Sequence, residues 1–208
     1  MNIEDQAEAR SKPVRPDAEP LDARFRLLGV LPLIFFLAQL IHYWRGGGMA
    51  NMLWMCNIGN LVLAIGLFAG HRELIRVSAI WMIPGLGIWF LYVLLPYGFL
   101  FTSTLAHVGG FVVALIALHR VRVDRSAWVY AFVWYLIMQL VSRIVTSPDA
   151  NVNLAHRIQT GWDSTFSGYW EFWPALTLAV AVGLWMIGRL LSLFWPNQST
   201  ISPDNSVD

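Results

Sequence analysis

Apolar residues along this chain gather in six long blocks, at approximately 26–44, 51–70, 75–95, 100–118, 127–146 and 172–195, separated by short polar joints. Each block is near the roughly 20 residues with which a helix crosses the hydrocarbon core of a bilayer. Strands do not fit, because a bilayer admits only helices or closed barrels and a barrel strand alternates with period two. The pattern predicts an all-α polytopic membrane bundle of about six transmembrane helices over residues 25–196. A polar, proline-containing stretch at 1–24 is expected to be a disordered cytoplasmic tail, and residues 197–208 a second cytoplasmic tail.

The joints carry their own signals. Gly46-Gly47-Gly48 breaks the first connection, and Pro96-Tyr97-Gly98 predicts a tight turn between the third and fourth spans. Pro84 lies inside the third span and predicts a kink of the kind membrane helices tolerate. The one long connection, 147–171, holds Asp149, Asn151, Asn153, His156, Arg157 and Asp163, then an aromatic run from Phe166 to Trp173.

Composition sharpens this reading. Of 208 residues, 57% are hydrophobic and 13% charged, and the mean hydropathy is +0.54; soluble domains carry about 25% charged residues. Tryptophans number eleven, which suits a chain with two membrane interfaces. A net charge of +1 gives no electrostatic footprint for nucleic acid, and no nucleic-acid partner is expected. One cysteine excludes an internal disulfide. The first apolar block is too long for the h-region of a cleavable signal peptide.

Basic residues give the orientation. Arg10, Lys12, Arg15, Arg24, Arg26, Arg72, Arg76, Arg120, Arg122 and Arg125 fall on one side, against Arg45, Arg143 and Arg157 on the other. Both termini are therefore expected to be cytoplasmic and the 147–171 connection external.

This topology turns scattered polar residues into a layer. Cys56 near the start of the second span and His107 near the start of the fourth lie about 8–10 Å below the outer surface at 1.5 Å per residue. Gln39 and His42 in the first span and Gln139 and Arg143 in the fifth reach similar depth, with Asn57 next to Cys56, Asn60 one turn below it on the same face and Glu171 opening the sixth span. Ser103, His107, Gly110 and Ala114 form a small-residue stripe on one face of the fourth span. Polar side chains at membrane depth face a bundle or a water-filled cavity, so the layer predicts a pocket opening outward. Each member also has a plainer role. A lone cysteine packs as a small residue, Arg143, Arg45 and His42 can snorkel, and Asn57 and Asn60 can join helices. His42 with His107, and His71 with His119, mimic a two-haem arrangement. His71 and His119 sit in charged loops without metal-binding spacing, so neither metal nor cofactor is expected.

Phe36-Leu37-Ala38-Gln39 leads to Leu53-Trp54-Met55-Cys56-Asn57-Ile58, and about fifty residues later comes Leu105-Ala106-His107. Here the chain resembles the YwaF-like integral membrane proteins of bacteria, a family related to an animal transmembrane acyltransferase that remodels ether phospholipids. The resemblance spans most of residues 30–175, including an asparagine-rich match at Asn151–Asn153. It departs at the N-terminus, where the family usually has a further span and this chain a polar stretch. The resemblance implies a bacterial inner-membrane protein acting on phospholipid, with Cys56 carrying an acyl group as a thioester and His107 assisting.

The chemistry suits those residues, since the thiolate is the nucleophile and a histidine within hydrogen-bond reach can take its proton. Gln39, Asn57, Asn60 and Gln139 would supply the pocket's polar groups, some as donors to an oxyanion, a contribution of about 3–4 kcal/mol. Arg143 and Arg45 would hold a lipid phosphate. Thr102 or Thr104 is the substitute nucleophile. The competing reading is a non-enzymatic membrane protein, an assembly factor or a lipid- or small-molecule-binding transport subunit.

Overall fold

The computed structural model describes residues 20–94 and 99–197. Residues 1–19 of the expected N-terminal tail, the Pro96-Tyr97-Gly98 turn and the tail from 198 onward lie outside the described residues. Six helices make up the bundle: α1 (Ala23–Gly46, tightened to a 3-10 turn at Leu27–Gly29), α2 (Met55–Ala69), α3 (Arg72–Leu94), α4 (Phe101–Val121), α5 (Ala127–Val145) and α6 (Tyr169–Phe194). No strand occurs among the described residues. All but α2 are long and apolar enough to cross a membrane. The chain is an all-α polytopic bundle.

Three boundaries differ from those the apolar pattern predicts. The first helix begins at Ala23, inside the expected tail, because the Asp22 carboxylate accepts the Phe25 N–H at 2.7 Å and caps the turn. The second block contains a break. Met49–Leu53 is a 3-10 turn, and Trp54, with ψ at 134°, leaves helical geometry before α2 starts at Met55. The sixth helix starts at Tyr169, after an extended Gly168.

Contacts sort the connections into two ends. At one, an Arg26 guanidinium donates to the Phe68 carbonyl at the C-terminus of α2. Buried Arg76 donates to Val121 and Arg122 carbonyls, at 3.1 and 2.9 Å, at the C-terminus of α4. Cations here satisfy orphan carbonyls and complement the helix dipoles. Val123 N–H donates to the Trp195 carbonyl at 2.7 Å, which brings the C-terminus of α6 to the α4–α5 joint, and Asp22 before α1 lies 4.0 Å from Arg120 near the end of α4. In that joint the Ser126 hydroxyl and amide hold the Asp124 carboxyl below the usual carboxylate range. The opposite end carries Met49–Leu53 and the 147–168 connection.

The two halves of the bundle are packed differently. Leu63, Leu67, Ile75, Ile80 and Leu118 are fully buried in an apolar core towards the arginine-rich end. Helix α3 stands in the middle, touching α2, α4, α5 and α6. Seven of its residues between Ile75 and Met82 are buried, and none from Ile83 to Leu94. The change falls at Pro84, which has no N–H for the Ile80 carbonyl and crowds it. Beyond Pro84 the helix leaves the close-packed core, and a cavity of about 590 Å³ lies between it and its neighbours.

Candidate functional site

The cavity wall is apolar over most of its area, with Trp81, Ile88, Trp89 and Val180 contributing from α3 and α6. Its polar residues include Gln39, Cys56, Asn57, Ser103, His107 and Asn153, with Asn51 and three tyrosines beside them. Four of these belong to the polar layer predicted from sequence.

Cys56 owes its setting to the break at Trp54. With Trp54 as the N-cap, Cys56 is the second residue of α2, in the turn whose amides lack intrahelical acceptors and whose dipole end favours negative charge. The Cys56 and Asn57 N–H groups lie beside the sulfur. Asn57 N–H donates to the Trp54 carbonyl at 2.9 Å; Cys56 N–H has no backbone or side-chain oxygen acceptor among the described residues. Met55 N–H is capped from far along the chain. Asn153, at φ 53°, accepts it at 3.1 Å and donates to the Leu53 carbonyl at 2.8 Å and to Ser142 Oγ at 2.9 Å.

His107 sits in a π-helical segment, Leu105–Gly109, of α4. Such bulges leave carbonyls without their usual partners and recur at functional sites. Asn60 fills that need, its amide donating at 2.9 Å both to the Ala106 carbonyl and to the Cys56 carbonyl. One side chain thus ties the His107 segment to the Cys56 turn. Gly110 makes this possible, because a Cβ there would overlap the Asn60 amide. His107 Nδ1 is 2.7 Å from the Ser103 carbonyl and 3.3 Å from Ser103 Oγ. A carbonyl can only accept, so Nδ1 carries the proton in the neutral ring and Nε2 is the basic nitrogen. Nε2 makes no hydrogen bond among the described residues.

The thiol and the imidazole flank Gly85 and make no hydrogen bond to one another. A Cβ placed on Gly85 would lie 3.3 Å from Cys56 Cβ and 3.7 Å from His107 Cδ2. The two side chains are therefore no further apart than those distances laid end to end, and Cδ2 is the ring carbon bonded to Nε2.

The other predicted residues divide. Gln39 is buried; its amide donates weakly to Asn57 Oδ1 at 3.4 Å, and its Oε1 is a buried acceptor with no partner. Asn57 donates to the Asn51 carbonyl at 2.9 Å. Asn60 lies behind the wall with both amide hydrogens committed, which leaves none for an oxyanion. Gln139 bonds the Asn153 carbonyl at 2.9 Å and accepts Trp173 Nε1 at 2.6 Å; it fixes the outer connection and does not line the cavity. Arg143 also lies outside it. Its guanidinium donates to the Ala155 carbonyl at 2.6 Å and stands 5.0 and 5.2 Å from the Tyr169 and Trp170 ring centres. Arg45 is exposed at the end of α1. Neither Thr102 nor Thr104 is on the cavity wall; the aliphatic hydroxyl there is that of Ser103, beside the phenols of Tyr43, Tyr92 and Tyr135. His71 and His119 lie at the arginine-rich end, His119 packed edge-on against Trp195, and no three metal-ligating side chains converge among the described residues.

Sequence reasoning missed Asn153 as the cap of α2, Gly85 as the gap between thiol and imidazole, and the Cys56 N–H as a donor. Only the first left a signal, its place in an asparagine pair. No protein-family model, curated protein or solved structure matches this chain.

Proposed function

We propose that this integral membrane protein is a thiol-dependent acyltransferase or lipid hydrolase acting on phospholipid esters, with Cys56 as nucleophile and His107 as base. The observation that carries the reading is the approach of Cys56 and His107 across Gly85 inside an apolar cavity. His107 Nε2 takes the Sγ proton, and the thiolate attacks the ester carbonyl carbon, forming a C–S bond and an oxyanion. The Cys56 N–H, beside the sulfur and without an oxygen acceptor among the described residues, is the donor best placed to receive that oxyanion. Collapse breaks the ester C–O bond, and the imidazolium returns its proton to the departing alkoxide, leaving a thioester and a lysolipid. An acceptor hydroxyl, or water, then attacks the thioester with His107 again as base, which regenerates the thiol. The buried Gln39 Oε1, an acceptor without a donor, suits the hydrogen of an incoming hydroxyl. We place the protein in a bacterial inner membrane with both termini cytoplasmic.

Incubating purified protein with phospholipid tests the reaction. A hydroxylamine-sensitive mass increase is expected on the peptide containing Cys56. Cys56→Ala and Cys56→Ser should abolish it, and His107→Ala should slow it about 10²–10⁴-fold while the thiol persists. An adduct on Ser103 would replace the nucleophile and keep the acyl-enzyme. No adduct on any residue, with unchanged lipid, would favour the non-enzymatic reading of the cavity as a lipid-binding site.

A further inference from the structure

A second cavity, of about 580 Å³, lies in the 147–168 connection at the end of the bundle opposite the arginine-rich one. It shares Trp54, Tyr92 and Leu154 with the apolar cavity, so the two are stacked with a common wall. Their linings differ in kind. The lower one is mostly aliphatic and aromatic and has no carboxylate or guanidinium on its wall, whereas Asp149, His156, Arg157, Gln159 and Asp163 line the upper one. We infer that the upper cavity is a headgroup site for a zwitterionic phospholipid whose acyl chain occupies the lower one.

Three features carry this. First, tyrosine and tryptophan at the shared wall suit the level where a lipid changes from polar to apolar. Second, Cys56 is two residues from Trp54 and so within about 7 Å of that wall along the backbone. An ester joining headgroup to chain then comes to the thiol. Third, the upper cavity offers both signs of charge. Arg157 reaches Asp149 at 3.5 Å from an exposed position and can turn to a phosphate, whereas Asp163 has no cation within ion-pair distance among the described residues. A carboxylate sharing the cavity with a guanidinium matches an amine carried on a phosphate. Both cavities fall within the roughly 300–1,000 Å³ of ordinary ligand sites. The assignment builds on the acyl-transfer reading only for where the ester lies.

Binding to the full-length Cys56→Ala protein tests the headgroup site without chemistry. Dissociation constants would be measured by native mass spectrometry for a short-chain phosphatidylcholine, a phosphatidylglycerol and a monoacylglycerol of equal chain length, with phosphocholine and inorganic phosphate as soluble probes. Arg157→Gln is expected to weaken both phospholipids about tenfold and leave the monoacylglycerol unchanged. Asp163→Asn should weaken phosphatidylcholine alone, and it keeps the loop intact if Arg157→Gln disturbs it through Asp149. The soluble probes should bind far more weakly than the lipids. Equal affinity for all three lipids, insensitivity of phosphatidylcholine to both substitutions, or phosphocholine or phosphate binding as tightly as the lipid would each overturn the assignment. An acyl adduct absent from the wild-type protein, with lipid binding as expected, would sink the reaction and leave the headgroup site standing.

Discussion

Gly85 is where a single methyl group would separate the thiol from the imidazole. At 3.3 Å from Cys56 Cβ, an added Cβ would fit tightly but without a backbone clash. Gly85→Ala should therefore slow acyl-adduct formation on Cys56, on the order of 10²-fold if base assistance is lost. Stability should change by no more than about 1 kcal/mol, since alanine's helix preference offsets the crowding. Intact kinetics with a well-folded variant would show that the two side chains do not act together. Asn60 makes the complementary case. Asn60→Ala would leave the buried Ala106 carbonyl without this donor and cost about 2 kcal/mol, read as a lower unfolding temperature in detergent, with His107 less well held. The sequence set Cys56 and His107 at one depth, with Asn60 one turn below Cys56, which follows from span boundaries and the rise of a helix. It could not assign their partners, because the Asn60 bond to Ala106 joins residues 46 positions apart.

The beginning of α2 is an element built from two distant pieces of chain. Most helix caps lie within a few residues of the amide they satisfy, yet Asn153 caps Met55 across 98 residues. No local pattern encodes such a bond. Nor does hydropathy mark the break at Trp54, since Met49, Met52 and Leu53 are as apolar as the helix that follows. Asn153→Ala removes three hydrogen bonds and should cost about 2 kcal/mol. Hydrogen exchange should quicken at the Met55 amide and in the 152–155 turn, while the core amides of Leu63 to Leu67 stay protected. Asn153→Gly separates two causes, because glycine takes the positive φ freely but supplies no cap. If the bonds matter, Asn153→Gly is as destabilised as Asn153→Ala; recovery to wild type would mean backbone strain was the whole effect. The spans themselves were legible because length and apolarity suffice to define them. The π-helical turn at Leu105–Gly109 was not, since one extra residue leaves the apolar stripe almost unchanged.

For the whole molecule, the open question is which way the bundle faces. Helix α2 is about 22 Å long at 1.5 Å per residue, short of the ~30 Å hydrocarbon core. The 3-10 turn before it, at about 2.0 Å per residue, adds roughly the missing 10 Å. The hydrogen bonds agree, with Phe68 tied to Arg26 at one end and Met55 to Asn153 at the other. With α2 running end to end, six helices bring Asp22 and Trp195 to the same end, where Val123 and Arg120 meet them. That end also holds Arg24, Arg26, Arg72, Arg76, Arg122 and Arg125, and cytoplasmic loops are the ones rich in arginine and lysine. A reporter fused after Asn197 should therefore be active in the cytoplasm, and one inserted after Ala150 outside it. Both reporters on one side would mean that α2 does not cross, and would remove the outward-facing setting from the paired cavities. Reporters on opposite sides but reversed would leave the bundle intact and turn the Cys56–His107 site to the cytoplasmic leaflet. Its lipid substrate would then come from that leaflet instead.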